Sequence, residues 1–172
     1  MMMLCRVMEE ELEGGDLFVC AVGLPPVWVV ERMHARGIVV MNMIGSPKHV
    51  SLRPRSLCVF SRLLPSSPEA SKKPLPAQVK GCLAAGVDII CAQGGEGGGH
   101  TGTVSTLVLV PQAVDLCKGT DTLVVGAGGI VNGRGIAALL ALGADGAWMG
   151  SRFIVTPEAN APQELKEGRA QR

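Results

Sequence analysis

The sequence predicts an α/β fold in which helices cover a parallel sheet, and three features support this class. Short, continuously apolar runs rich in β-branched residues alternate with helix-like runs, as expected for strands buried on both faces. Glycine or proline follows each apolar run, as is usual where a strand passes into a loop. The chain has 172 residues, of which 47% are hydrophobic, so it can form the core of one domain.

Five strands and four helices follow from this pattern in order. The first strand stops at two prolines, and a short helix after it ends at Gly37. Pro111 lies inside the third helical run, where proline disfavours a helix, so only the apolar spacing supports the prediction of a helix there. The predicted strands are 16–26, 37–46, 86–95, 122–130 and 146–153, and the predicted helices are 27–37, 77–86, 106–119 and 133–143.

One segment, residues 51–76, breaks the alternation. It holds five prolines, five Lys or Arg residues and a single acidic residue, and neither a strand nor an amphipathic helix fits it. A loop of this length is unusual inside an α/β domain. We expect a disordered insert. The alternative, a basic contact for a peptide or nucleic acid, has less support because no aromatic residues interleave the arginines.

Charge and cysteine content limit the classes of partner and compartment. The net charge is +1, which gives no reason to expect nucleic acid or an anionic membrane. Six cysteines lie in apolar runs without a C-x-x-C pair, which favours buried thiols in a reducing, cytoplasmic compartment. No apolar run is long enough to cross a bilayer. No set of His, Cys and carboxylate residues has the spacing of a metal site.

Glycine-rich stretches at three predicted strand ends indicate a ligand site. GGEGGGHTG (94–102) surrounds Glu96 and His100 with glycine, which permits close approach to a ligand or a tight corner. Gly128 and Gly129 lie at the end of the fourth predicted strand, just before a helix, and Gly150 and Ser151 lie at the end of the fifth. Backbone N–H groups at such turns, aided by a helix N-terminus, suit an anionic phosphate, and Arg152 adds a possible charged contact.

These motifs together resemble a known family. CAQGGEGGGHTG, LVVGAGGIVNGRGIAALLALGADGAWMGSRF, VGLPP and IVVMNMIGSPKHV resemble nitronate monooxygenases, formerly called 2-nitropropane dioxygenases, over residues 18–50 and 77–160. The resemblance implies an FMN-binding TIM barrel that oxidises alkyl nitronates with dioxygen. It also implies that His100 is the catalytic base. The implied cofactor-binding positions are Gln93, Gly94, Gly98, Gly99, Gly128, Gly129, Met149, Gly150 and Ser151.

The chain is shorter than a complete barrel, which typically needs about 250 residues. We therefore expect residues 1–172 to form a single truncated FMN-binding barrel domain, a partial (β/α)8 fold of about five βα units without the family's first strands. Two alternatives stay open: a non-catalytic fragment, and an FMN-dependent enoyl-thioester reductase. An inosinate-dehydrogenase-like enzyme would need a catalytic loop cysteine, whereas Cys91 lies inside a predicted strand. The oligomeric state is left open.

Other polar residues have structural interpretations. Asp88 and Asp145 each precede an apolar strand in the patterns GVD and GAD, which is typical of turn residues. His34 lies in a predicted helix and is expected to be structural. Lys48 and His49 follow a strand end and are also expected to be structural, although that position faces the site edge. Glu96 is expected to be a solvated loop carboxylate rather than a catalytic one.

Overall fold

The computed structural model describes residues 15–21, 23–45, 75–99 and 101–170, and it confirms an α/β fold with a parallel sheet. Strands and helices alternate along the described chain. The strands are β1 (Leu17–Cys20), β2 (Val39–Ile44), β3 (Ile89–Gln93), β4 (Leu123–Ala127) and β5 (Gly146–Trp148). The helices are α1 (Val27–His34), α2 (Leu75–Ala85), α3 (Thr106–Cys117), α4 (Gly133–Ala141), α5 (Ser151–Ile154) and α6 (Gln163–Ala170).

The five strands form one sheet in sequential order, β1-β2-β3-β4-β5, and every neighbouring pair is parallel. Each strand is therefore next to the strand that follows it in the chain. This arrangement puts all the carboxyl ends at one edge of the sheet, where α/β folds place their ligand-binding loops. The predicted five βα units are confirmed, and their order is that of consecutive units in a barrel.

The two faces of the sheet differ in what covers them. The outer face packs on helices in a large core that includes Val40, Ile90, Val79 and Leu109. The inner face carries a second, smaller cluster centred on Met41, Cys91 and Ala127. Large apolar side chains are exposed at the rims of this inner cluster, among them Trp148 of β5, which is 39% exposed. The inner face corresponds to the interior of a barrel, and it is less covered than the outer face.

The amino edge of the sheet is closed by a repeated turn. Gly86 and Gly143, the glycines of the GVD and GAD patterns, have positive φ (76° and 91°). They follow the ends of α2 and α4, where a left-handed residue commonly stops a helix. The Asp88 carboxylate then accepts hydrogen bonds from Val40 N (2.7 Å) and His34 Nε2 (2.8 Å). The Asp145 carboxylate accepts one from Val124 N (2.8 Å). Both aspartates thus pair a backbone N–H of the neighbouring strand, and they lie at the edge opposite the glycine loops.

Several element boundaries differ from the predicted ones. The fifth strand ends at Trp148, and Ser151, Arg152 and Phe153 are helical because α5 begins directly after Gly150. The last two residues of the predicted disordered insert over 51–76 are helical, since Leu75 and Pro76 begin α2. Proline fits the first turn of a helix, where its missing N–H has no partner to lose. The rest of that segment lies outside the described residues.

Helix α3 continues through Pro111, as the apolar spacing predicts. A proline inside a helix leaves the carbonyl four residues earlier without its N–H partner. That residue is Leu107, whose side chain is 66% exposed, so its surroundings are open to water. On the opposite face, Leu109, Val110 and Ala113 are buried against the sheet. Packing of this face therefore offsets the cost of the proline.

Candidate functional site

The site is the carboxyl edge of β3, β4 and β5, where three glycine-bearing loops meet. Residues 94–105 connect β3 to α3, residues 128–132 connect β4 to α4, and Met149 and Gly150 connect β5 to α5. Strand register sets this meeting, because Gln93 pairs with Ala127 and Ala127 with Trp148. The predicted flavin-contacting residues of the described chain are thus brought to one edge.

The loop after β3 has a defined internal structure despite its glycine content. The side-chain amide of Gln93 donates to the Gly98 carbonyl (3.1 Å), and Gly97 N donates to the Gly94 carbonyl (3.1 Å). Further along, Gly95 N donates to the Val104 carbonyl (2.8 Å), which closes the loop at its base. Gln93, predicted to line the flavin, therefore also holds the loop in shape. His100 lies outside the described residues, between Gly99 and Thr101.

This loop interlocks with the turn after β4. Gly94 N donates to the Ala127 carbonyl (2.9 Å). A Cβ added at Gly94 would collide with Thr106 and would lie 2.6 Å from Glu96 Oε2. A Cβ at Gly128, whose φ is +100°, would lie 2.9 Å from the Gly94 carbonyl oxygen. The packing of one loop against the other within the chain therefore requires glycine at both positions, whether or not a ligand binds.

Glu96 is an exposed loop carboxylate, as the sequence suggested, but hydrogen bonds also hold it in place. Its carboxylate accepts hydrogen bonds from Thr106 N (2.9 Å to Oε2 and 3.2 Å to Oε1) and from the Thr106 hydroxyl (2.9 Å). Desolvation raises the pKa of Glu96, but these hydrogen bonds and one from its own backbone N–H outweigh it, so the pKa lies below its ordinary value of 4.5. A carboxylate is favoured at this position because Thr106 is the first residue of α3, where the helix dipole attracts negative charge.

Thr106 is the central residue of the contact between the two loops, and the sequence analysis missed it. It is buried, and its hydroxyl oxygen lies 3.0 Å from the Gly128 carbonyl oxygen and 3.3 Å from that of Ala127. The preceding residue, Ser105, is the N-cap of α3 but makes no side-chain capping hydrogen bond. A Ser-Thr pair before an apolar helix is a capping signal. Nothing in its spacing indicates that the cap comes from Glu96, ten residues earlier.

Three residues separate Gly129 of the turn after β4 from helix α4, which begins at the predicted position, Gly133. Gly128 and Gly129 both have positive φ (100° and 73°), and α4 begins only at Gly133. The Asn132 side chain caps α4 by accepting from Arg134 N (3.0 Å) and Gly135 N (3.4 Å). Two of the helix's first N–H groups are therefore already paired. An anion at this edge would depend more on the turn itself than on the N-terminus of α4.

The turn after β5 is open where the other two are packed. No atom of the described residues lies within 4 Å of a Cβ built at Gly150 or at Gly99. A Cβ at Gly98 would lie 3.5 Å from Ser151 Oγ, so the loop after β3 approaches the start of α5. Met149 is half-buried and Ser151 exposed. Gly99 and Gly150 each face open space, which fits the expectation of backbone that a ligand can approach closely.

Trp148 is the other residue at this edge that the sequence analysis did not single out. It ends β5, beside Ala127 of the inner cluster, and stands directly before the open turn. Its indole is 39% exposed, and Phe153 of α5 is 54% exposed. Large partly exposed aromatic groups at such an edge are common in ligand sites.

Among the remaining candidates, those within the described residues do not join the site. His34 pairs with Asp88 at the opposite edge of the sheet, which confirms a structural role. Lys48 and His49 lie outside the described residues. Cys91 is fully buried within β3, and burial raises the pKa of its thiol to about 12, so it cannot supply a thiolate at neutral pH. Within the described ranges, no three His, Cys, Asp or Glu side chains are placed to hold a metal.

The described cysteines fit the expectation of buried free thiols. Cys20, Cys82, Cys91 and Cys117 are all buried and unbonded to one another, while Cys5 and Cys58 lie outside the described residues. Burial raises the pKa of Cys82 to about 12 as well, in spite of a hydrogen bond from Asn42. None of the helices in the described ranges combines the length and apolar composition needed to cross a membrane.

Comparison with known families identifies this arrangement. A family model described as nitronate monooxygenase matches residues 71–171, which is more than half of the chain and includes all three loops. The chain belongs to the nitronate monooxygenase family. The resemblance inferred from the glycine motifs is thereby confirmed.

Curated relatives of this nitronate monooxygenase family member carry more than one activity in their names. A Mycobacterium tuberculosis protein named as a monooxygenase, Rv1533, is 40% identical over 88% of this chain and 32% of its own length. The (3aS,4S,5R,7aS)-5-hydroxy-7a-methyl-1-oxo-octahydro-1H-indene-4-carboxyl-CoA dehydrogenase of Rhodococcus jostii is 36% identical over 83% and 31%. A Staphylococcus aureus protein named probable nitronate monooxygenase is 42% identical over 48% and 25%. The chain thus spans about a third or less of the length of these relatives.

Solved structures agree with the fold of the family. A nitroalkane oxidase from Streptomyces ansochromogenes superposes with a TM-score of 0.70 at 26% identity, over 95% of this chain and 40% of that one. FabK from Thermotoga maritima gives a TM-score of 0.69 at 26% identity, over 95% and 41%. The predicted TIM-type architecture is thus confirmed as five consecutive βα units of such a fold.

Proposed function

We propose that this chain carries the FMN-binding edge of a nitronate monooxygenase, an oxidoreductase that oxidises alkyl nitronates with dioxygen. One observation supports this most: the loops after β3, β4 and β5 meet at one edge and leave open space beside Gly99 and Gly150. Positive-φ turns with bare backbone are suited to the approach of a phosphate-bearing ring system. Family membership supports the same cofactor and chemistry.

Each predicted residue has a proposed part in holding FMN. Gly150 and Ser151, with Met149 beside them, would contact the phosphate together with the turn of Gly128 and Gly129. Gln93, Gly94, Gly98 and Gly99 would border the ring from the loop after β3. The residues present fit this group, because the glycines on the open side leave room that any side chain would fill. When bound, FMN supplies the electron transfer.

His100 is the proposed catalytic base. A nitronate forms when a proton leaves the carbon next to a nitro group, and an imidazole with an ordinary pKa near 6.5 is suited to accept such a proton at neutral pH. In the sequence, His100 follows directly on Gly98 and Gly99, which border the open space. The glycines around it would let the substrate reach the imidazole.

The test measures FMN binding first and oxygen consumption second. The purified chain, mixed with FMN, is expected to retain flavin absorbance after desalting and to consume oxygen when the anion of nitroethane is added. Riboflavin, which lacks the phosphate, is expected to bind more weakly. The variant His100→Asn is expected to bind FMN normally and to lose most of its oxygen consumption with neutral nitroethane, which needs the base. A chain that stays colourless at saturating FMN would contradict the proposal and favour a non-catalytic fragment.

A second candidate is an FMN-dependent oxidoreductase acting on an acyl thioester, such as an enoyl-thioester reductase. It is favoured by the similarity to a carboxyl-CoA dehydrogenase, which extends over 83% of the chain, compared with 48% for the probable nitronate monooxygenase. The two candidates share the flavin edge and differ in the electron donor. Oxidation of NADH that depends on an enoyl-CoA and is unaffected by nitronate would favour the second candidate.

A further inference from the structure

A cluster of polar contacts, which we call the clasp, holds the loop after β3 close to the turn after β4. It consists of the Glu96 carboxylate and the Thr106 backbone N–H and hydroxyl. Three short contacts link the two residues, at 2.9, 3.2 and 2.9 Å. Glu96 lies within the glycine loop, whereas Thr106 begins α3 and is buried. The clasp therefore fastens the middle of a glycine-rich loop to a rigid helix.

The same Thr106 hydroxyl extends the clasp to the neighbouring strand. Its oxygen lies 3.0 Å from the Gly128 carbonyl oxygen and 3.3 Å from that of Ala127. On the other side, a Cβ at Gly129 would lie 3.1 Å from Glu96 Cβ. Both glycines of the turn after β4 thus touch one member of the clasp. The hydroxyl has one hydrogen to share among these acceptors. Its removal would take a donor from the group, although the Ala127 carbonyl would keep Gly94 N and the Glu96 carboxylate would keep Thr106 N.

The clasp also affects which backbone N–H groups at this edge are available to a bound anion. The N-terminus of α3 carries partial positive charge, and the Glu96 carboxylate already occupies its first N–H. The start of α4 is occupied in the same way by Asn132. The Thr106 N–H of α3 and the Arg134 and Gly135 N–H groups of α4 therefore already have a side-chain partner within the chain. A phosphate at this edge would therefore depend more on the turns, which the clasp holds in place.

We propose that Glu96 and Thr106 are positioning residues, which hold the loop after β3 against the turn after β4 in the spacing that FMN requires. This inference rests on the proposed function, because it concerns the same cofactor edge. It goes beyond it in assigning a role to two residues that need not touch the flavin. Their effect on FMN would pass through Gly94, Gly128 and Gly129, the residues that they pack against.

The experiment compares isosteric and conservative changes in the full chain. Thr106→Val removes the hydroxyl and keeps the volume, whereas Thr106→Ser keeps the hydroxyl. Glu96→Gln removes the charge, and the double variant Glu96→Gln/Thr106→Val tests whether the two residues act together. The matched control is Thr122→Val, since the Thr122 hydroxyl also donates to a backbone carbonyl, that of Val87 (3.1 Å), but at the opposite edge of the sheet.

The first readout is FMN affinity, measured by flavin fluorescence. Thr106→Val is expected to raise the FMN Kd about tenfold, which is the size of one lost buried hydrogen bond. Thr106→Ser is expected to stay within about twofold of wild type, and the double variant to be weaker by less than the product of the two single effects, as for residues in one network. Thr122→Val is expected to leave the Kd unchanged even if it lowers the melting temperature.

The second readout does not need flavin. Thr106→Val is expected to speed hydrogen exchange of the Gly94 amide, which bonds the Ala127 carbonyl across the clasp, and Thr122→Val is expected to leave it unchanged. Unchanged exchange in a folded Thr106→Val variant would overturn the clasp. Faster exchange with an unchanged FMN Kd would overturn its role in the site. A wild-type chain that binds no FMN would overturn the proposed function. The comparison of Gly94 hydrogen exchange between wild type and Thr106→Val would then still test whether the clasp holds the two loops together.

Discussion

The glycines of the loop after β3 and the glycine of the turn after β5 serve different purposes, although the sequence presents them alike. A side chain at Gly94 would collide with Thr106, whereas one at Gly150 would meet no described atom within 4 Å. Gly94 is needed because two loops of the protein pass very close to each other. Gly150 has no such contact with the described residues beyond its neighbours in the chain. The comparison shows that glycines in similar motifs differ in whether packing within the protein requires them, and Gly150 belongs to the turn that we propose for the phosphate.

Gly94→Ala is the strongest way to test the first half of this comparison. The methyl group would overlap Thr106 and approach Glu96, so we expect a loss of about 3 kcal/mol in the free energy of unfolding, the upper end of the usual cost of overpacking. Urea unfolding of the full chain measures it. The control is Gly133→Ala, where no described atom lies within 4 Å of the new methyl. Equal stability of the two variants would show that the loops are not interlocked.

Gly150→Ala tests the second half. Its backbone angles, φ −114° and ψ −66°, do not require glycine, so we expect a change in unfolding free energy below about 0.5 kcal/mol. If a phosphate approaches here, the FMN Kd should rise about tenfold, or about 1.4 kcal/mol. Riboflavin affinity should change much less. Unchanged FMN binding in this variant would remove Gly150 from the phosphate site and weaken the contrast with Gly94.

Asn132→Ala sharpens the comparison at the turn between these two glycines. Asn132 caps α4 with two hydrogen bonds, so its loss should cost about 1 kcal/mol of stability. Because the variant frees two helix N–H groups near the proposed phosphate, we expect FMN affinity to fall less than in Gly150→Ala. Thermal unfolding and flavin titration of the same preparation give both numbers. A loss of FMN affinity larger than that of Gly150→Ala would place the anion at the start of α4 instead.

The pH dependence of Glu96→Gln gives the smallest expected effect. Since the pKa of Glu96 is lowered in the folded chain, its carboxylate stabilises the fold fully above the ordinary value of 4.5. That stabilisation is lost as the pH falls through the lower folded value. The melting temperature of wild type should thus exceed that of the variant at pH 6, and the gap should close on acidification. A gap that is constant from pH 6 to pH 3 would mean that the charge of Glu96 does not stabilise the clasp.

Local pattern was sufficient for the order of strands and helices but not for every boundary. Val39–Ile44 and Ile89–Gln93 stand out as strands because buried parallel strands are apolar on both faces. The apolar spacing around Pro111 predicted a helix correctly, since the buried face of α3 outweighs one lost hydrogen bond. The end of β5 was misplaced because WMGSRF contains no proline or charged cluster to separate a strand from the helix at Ser151.

The sequence by itself determined the class of fold, the five βα units and the family, since apolar periodicity and glycine-rich motifs are local properties of the chain. It also indicated which loops face the site, because parallel strands put their carboxyl ends at one edge. Only the tertiary structure decided that Glu96 caps a helix ten residues away, and that Gly94 and Gly128 pack against each other while Gly150 faces open space. Those roles depend on which loops touch after the sheet has formed. The spacing of residues along the sequence carries no information about that contact.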